Sequence, residues 1–149
     1  MKRKAVILAV LILLLLAFIW GNSVQSIPDS RDRSLSVMAR IQPFLELFVG
    51  KGNVTNHLVR KLAHFCEYSL LGLLLTYWVR LWMQPTPRRV LYGMLLGLAV
   101  AVIDETIQIF SHRGSQVQDV ILDFCGVIAG TLLGLLLSAI VRRVKRSQN

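Results

Sequence analysis

Long apolar segments recur along the chain and are separated by short polar breaks. They cover about residues 5–21, 58–82, 90–110 and 117–141. The last three reach the roughly 20 residues that a helix needs to cross a bilayer, and the first is slightly shorter. We therefore predict an all-α fold, an integral membrane four-helix bundle, formed as a single domain by residues 1–149.

The segment between the first two spans has a different pattern. Residues 22–57 are rich in serine and charge, and Leu35, Met38 and Ile41 recur at near-helical spacing. This pattern predicts a short extracytoplasmic amphipathic helical segment that lies on the outer leaflet or caps the bundle. Pro43 is expected to divide or kink it.

The first span has two interpretations. It could be a signal peptide, because Gly21 and Ser23 form a small-x-small cleavage site. It could equally be an uncleaved helix that Trp20 anchors at the interface. We favour the uncleaved helix because the apolar run is long for a signal core.

Composition supports a membrane protein, since 54% of the residues are hydrophobic. The net charge is +9, but the lysines and arginines flank the apolar runs, as in Lys2–Lys4 and Arg142–Arg146. Such flanks orient helices at a cytoplasmic surface, so we expect both termini inside the cell and four passes. Nucleic-acid binding is not expected, because no basic face is interleaved with aromatic residues.

The acidic residues are distributed unevenly. A charge near the bilayer centre costs about 2.5–3.5 kcal/mol on insertion scales, so a charged residue in a span usually marks function. Three of the eight acids lie in the outer segment, and the predicted inner side has none. The other five, toward the outer ends of the spans, are Glu67, Asp104, Glu105, Asp119 and Asp123.

Helical spacing places polar and small residues on one face of each of the last three spans. We expect the glycines to pack the helices closely and the polar halves to line a shared pocket that opens outward. The residues predicted for this pocket are Lys61, His64, Glu67, Tyr68, Asp104, Glu105, Gln108, Arg113, Asp119 and Asp123.

Two structural roles stay open for these groups. Asp119 could be only a helix N-cap. The other acids could form interhelical ion pairs with Lys61 or Arg113 that merely hold the bundle together.

The candidate chemistry is limited. His64 and Glu67 with carboxylates from other spans resemble an oxygen-rich metal site, but the spans hold no second histidine and no HExxH motif. We therefore expect no metal and no cofactor, and assign no catalytic residue. Cys66 lies about 200° round the helix from His64, which argues against a thiol nucleophile. Arg113 beside Gly114 is suited to gripping a phosphate or carboxylate.

Two motifs resemble those of the VanZ-like family of small bacterial membrane proteins. The first is Lys61-x-x-His64-Phe65-x-x-Tyr68-x-x-Leu71-Gly72. The second is Asp104-Glu105-x-x-Gln108-x-Phe110-x-x-Arg113, followed by Asp119-Val120-x-x-Asp123-x-x-Gly126. Ser23-x-Gln25 after the first span fits as well, whereas Ile107 and Ser111-His112 depart from the usual pattern.

The resemblance implies a protein of the bacterial plasma membrane and a part in glycopeptide resistance, chiefly to teicoplanin. We expect an envelope protein that binds a membrane lipid, a lipid-linked cell-wall precursor or a glycopeptide-related ligand in the outer pocket. A small membrane enzyme acting on such a precursor and a proton- or cation-coupled transporter are the alternatives. The oligomeric state stays open.

Overall fold

A computed structural model of the protein describes residues 2–24, 27–84, 86–111 and 116–148. Within helices, the side chains of residues 27–34 and 49 lie outside the description.

Five helices account for nearly all of the described chain. They are α1 (Lys2–Ser23), α2 (Ile27–Val49), α3 (Asn56–Val79), α4 (Pro87–Phe110) and α5 (Val117–Ser147). The described residues contain no strand, and α1, α3, α4 and α5 are long and apolar enough to cross a membrane. The predicted all-α membrane bundle is confirmed.

Local signals set the helix boundaries. Thr55 is the N-cap of α3, and its Oγ1 accepts a hydrogen bond of 3.1 Å from the amide of Leu58. Pro87 occupies the first position of α4, where no backbone donor is needed. The turn before α3 contains Gly50 and Gly52 at φ of 86° and 80°, a conformation that favours glycine.

The helices extend beyond several of the predicted spans. α5 continues to Ser147 instead of ending near residue 141, and α1 begins at Lys2 instead of residue 5. Lysine and arginine are good helix formers, so a helix continues through the charged flank. Hydropathy therefore locates the apolar part of each helix rather than its ends.

α2 is one helix, so Pro43 does not divide the segment, and the kink expected as the alternative stays a prediction. Proline removes a single backbone donor, and the good helix formers on both sides keep the remaining hydrogen bonds. α2 contacts α3 and leaves Phe44, Leu47 and Phe48 largely exposed. This exposed apolar face fits the predicted amphipathic character of the segment.

α3 and α5 approach each other at backbone distance. A Cβ added to Gly130 would overlap the carbonyl oxygen of Ser69, and one added to Gly72 would overlap the carbonyl oxygen of Val127. Only glycine permits this approach, as predicted for the small-residue face. α1 and α4 complete a core whose buried members are Ile19, Tyr68, Leu71, Leu75, Ala101 and Val127.

Gly130→Ala is expected to lower the stability of the bundle by about 1–3 kcal/mol, the usual effect of overpacking. Gly93→Ala is the matched control, because no described atom lies within 4 Å of a Cβ built there. It should be neutral or stabilise α4 by up to about 1 kcal/mol. Thermal unfolding of the purified variants, followed by circular dichroism, compares the two. Equal unfolding temperatures would contradict a backbone contact at Gly130.

Candidate functional site

A pocket of about 180 Å³ lies where α3 begins, α4 ends and α5 begins. We call it the polar pocket and this end of the bundle the polar end. Basic side chains from α3 form one wall. The amide of Gln108 at the end of α4, the amide of Gln116 just before α5, and carboxylates of α5 form the other. The lining residues are His57, Arg60, Lys61, His64, Gln108, Gln116, Asp119, Leu122 and Asp123.

Asp104 lies at the base of this region and is fully buried. Ser23 Oγ at the end of α1 donates to its Oδ1 at 2.6 Å, and Gln108 Nε2 donates to its Oδ2 at 3.1 Å. Both neighbours act as donors, which suits a carboxylate that accepts hydrogen bonds through both oxygens. Asp104 thereby joins α1 to α4 at the polar end.

His64 faces two carboxylates from different helices. Its Nδ1 lies 3.6 Å from Asp123 Oδ1 and 3.9 Å from Asp104 Oδ2. Both distances exceed the range of a direct hydrogen bond. The Asp123 side chain is only 2% exposed, and neither of its oxygens has a hydrogen-bond partner among the described residues. The three side chains therefore lie close together, but His64 Nδ1 forms no direct hydrogen bond with either carboxylate.

Glu105 holds the start of α5. Its Oε1 accepts a hydrogen bond of 2.6 Å from the backbone amide of Gln116, the residue before the first turn of α5. This bond satisfies one amide that the helix itself leaves without an acceptor. The other oxygen, Oε2, is buried without a hydrogen-bond partner in the described part of the chain.

Lys61 and Asp119 form an ion pair at the rim of the polar pocket. Their charged atoms are 3.3 Å apart, and both side chains are about 30% exposed. Asp119 is in the first turn of α5, but the N-cap residue is Gln116, so the N-cap role considered for Asp119 is wrong. A carboxylate in a first turn still interacts favourably with the helix dipole.

The structure brings most of the predicted site residues together and separates a few. Lys61, His64, Gln108, Asp119 and Asp123 line the polar pocket, and Asp104 and Glu105 lie beside it. Their assignment to function stays a prediction. Tyr68 is instead fully buried in the core, one helical turn deeper than His64. Glu67 is half-buried and does not line the pocket, and Arg113 lies outside the described residues.

Sequence reasoning left several lining residues out. They include His57, Gln116 and Leu122. His57 precedes Lys61 by four residues on α3, so the helical period is a signal that could have added it to the predicted set. Ser23 had no such signal, because its partner Asp104 is 81 residues away. Cys66 and Cys125 are both exposed, and neither lines the polar pocket.

Comparison with known proteins gives one informative result. A family model described as VanZ/LLP1 matches residues 8–138, which include all of α2, α3 and α4 and most of α1 and α5. No significant match was found among curated proteins or among solved structures.

Ser23→Ala is expected to lower the free energy of unfolding by about 1–3 kcal/mol, because it leaves a buried oxygen of Asp104 without its donor. Ser69→Ala is the matched control, since the hydroxyl of Ser69 donates only within its own helix, to the carbonyl oxygen of Phe65. Thermal unfolding of both variants measures the difference. A loss for Ser69→Ala as large as that for Ser23→Ala would contradict a specific contact between α1 and α4.

Proposed function

The chain belongs to the VanZ/LLP1 family, and we propose that it is a bacterial cell-envelope protein that binds a phosphate-bearing lipid headgroup in the polar pocket. The ligand class is an envelope lipid or a lipid-linked cell-wall precursor. The observation that carries the proposal is the row of basic side chains that α3 presents to one cavity.

These side chains are His57, Arg60, Lys61 and His64, and all four line the pocket. Arginine and lysine bind phosphate oxygens through charge-assisted hydrogen bonds, which are about twice as strong as neutral ones. The amides of Gln108 and Gln116 lie on the opposite wall, where they could donate to further oxygens. The ion pair between Lys61 and Asp119 is partly exposed, so an incoming phosphate can compete for Lys61.

The size of the pocket favours a headgroup over an entire drug molecule. Pockets that enclose drug-sized ligands usually measure about 300–1,000 Å³, whereas the polar pocket measures about 180 Å³. A glycopeptide antibiotic is far larger than this cavity. Any contribution to teicoplanin resistance would therefore act through the bound envelope lipid and not through enclosure of the drug.

The proposed ligand requires the polar end to face outward. At the opposite end, basic residues flank the helices, and this basic end includes Lys2–Lys4, Arg88, Arg89 and Arg142–Arg146. Basic flanks of this kind remain in the cytoplasm. The polar pocket would then open at the outer leaflet, with both termini in the cytoplasm.

Cysteine labelling tests this orientation. In a chain whose two native cysteines are replaced by serine, Asn53→Cys in the loop before α3 should react with an impermeant maleimide on intact cells. Ser147→Cys at the end of α5 should react only after the membrane is permeabilised. The reverse pattern would contradict the orientation and remove the pocket from the outer leaflet.

Lys61→Gln is expected to weaken binding of a polyprenyl phosphate about tenfold, because a hydrogen bond to a charged group contributes about 1.5–3 kcal/mol. Lys51→Gln is the control, since Lys51 lies in the turn before α3 at the same end and does not line the pocket. Binding is measured by titration of the purified chain in nanodiscs that contain the polyprenyl phosphate.

Equal affinities for the wild type, Lys61→Gln and Lys51→Gln would contradict the proposed role of the basic wall. Tighter binding of the polyprenyl phosphate than of the corresponding uncharged polyprenol by the wild-type protein would support that role. Teicoplanin susceptibility of cells that express the same variants then tests whether binding affects resistance.

A further inference from the structure

His64, Asp104 and Asp123 come from α3, α4 and α5, and each offers one ligand atom within 4.8 Å of the other two. We propose that these three side chains bind a divalent cation of the first transition row. The cation would deepen the proposed function, since it would place positive charge at the base of the polar pocket. Its link to phosphate rests on that proposed function, whereas the cation site itself does not.

The spacing of the three side chains suits an ion between them. Imidazole and carboxylate ligands lie about 2.0–2.2 Å from such an ion, so two ligands of one ion are at most about 4.4 Å apart. The distances of 3.6 and 3.9 Å from His64 Nδ1 to the two carboxylates fall below this limit. They are also too long for direct hydrogen bonds. Side-chain movements of about 0.4 Å would bring any pair at the 4.8 Å limit within it.

Asp123 supplies the second, independent observation. It is 1% exposed, and both of its oxygens are without a hydrogen-bond partner among the described residues, yet it lines the polar pocket. A buried charge without compensation costs several kcal/mol. Lys61 does not supply this compensation, because its ammonium group lies beside Asp119 at the rim. The His64 imidazole faces Asp123 at 3.6 Å, carries a charge only when protonated, and is too far away for a direct hydrogen bond. A cation bound between the three side chains would compensate Asp123 by direct contact with its oxygens.

The surroundings of Asp104 fit a metal ligand. Metal-binding side chains are usually held by further hydrogen bonds, and losing one typically reduces affinity about 10–100-fold. Ser23 and Gln108 hold Asp104 in this way, from α1 and from the next turn of α4. His64 is 23% exposed, so the ion would also be reachable from the pocket.

The donor set also indicates which ion. One imidazole and two carboxylates suit ions such as Mn²⁺ and Zn²⁺, which accept mixed nitrogen and oxygen ligands. Ca²⁺ requires about six to eight oxygens. The spans contain one histidine, and from the sequence we therefore expect no metal. Two carboxylates from separate helices, however, make a second histidine unnecessary. Coordination positions toward the pocket stay open for water or a phosphate oxygen.

Mn²⁺ is the appropriate probe, because it favours oxygen and imidazole ligands and so avoids the exposed thiols of Cys66 and Cys125. The full chain is purified in detergent, stripped with a chelator and titrated with Mn²⁺ without any phosphate lipid. Loss of the free-ion signal in electron paramagnetic resonance measures binding. We expect one Mn²⁺ per chain, displaced by Zn²⁺.

Asp123→Asn and His64→Gln are each expected to weaken Mn²⁺ binding at least tenfold. Glu46→Gln is the matched control, because it also exchanges a carboxylate for an amide. Its carboxylate lies on α2 and accepts a hydrogen bond of 2.8 Å from Gln42. Gel filtration and circular dichroism check that each variant is folded. If Asp123→Asn does not fold, His64→Gln decides alone, since His64 is partly exposed.

Wild-type protein without stoichiometric Mn²⁺ binding would overturn the proposal, as would a Glu46→Gln variant that loses as much affinity as the two site variants. Retained affinity in folded His64→Gln would overturn it as well. The lipid titration in the presence of chelator is a separate measurement. A failed cation site and a failed phosphate site are therefore distinguishable.

Discussion

The direct backbone contact between α3 and α5 is the constraint on which the rest of the structure depends. Lipid provides little hydrophobic drive between helices, so their association relies on close packing at small residues. Gly126 and Gly130 place α5 against Phe65 and Ser69 of α3 with no side chain between them. Asp123 lies one turn from Gly126, and the same contact therefore brings it opposite His64.

The carboxylates near this contact are stabilised in different ways. Asp104 accepts two side-chain hydrogen bonds, Glu105 accepts one from a backbone amide, and Asp119 is paired with Lys61. Among the described residues, Asp123 has no hydrogen-bond partner and approaches His64 at 3.6 Å. Electrostatic effects grow as the local dielectric falls, so the group with the least compensation responds most to whatever enters the pocket.

Much of this arrangement could be predicted from the sequence. Hydropathy located four spans, and the period of 3.6 residues placed the polar groups of three spans on facing stripes. A stripe defines a direction around a helix but not a depth along it. Tyr68 therefore shared the predicted face and yet lies below the pocket, in the core. The end that hydropathy predicted for α5 was also too early, because the helix continues through the basic flank to Ser147.

The pairings between atoms could not be predicted. The hydroxyl of Ser23 donates to Asp104, which lies 81 residues further along the chain. Glu105 accepts a hydrogen bond from the backbone amide of Gln116, the N-cap residue of α5. Neither contact has a periodic signal, because each depends on the relative height of two helices. That height follows from packing at the glycines and not from any local propensity.

The sequence left open whether the acids only hold the bundle together. Asp104 does join two helices through Ser23, whereas Asp123 makes no hydrogen bond to another helix within the described part of the chain. The ion pair of Lys61 is with Asp119, is partly exposed, and so contributes about 0–1 kcal/mol. Asp123 takes no part in that pair, and the glycine contacts already fix the helices. Replacing buried charges by apolar residues is often neutral or stabilising. A bundle built only for stability would therefore gain from an apolar side chain at position 123, and a carboxylate there is better explained by something that it binds.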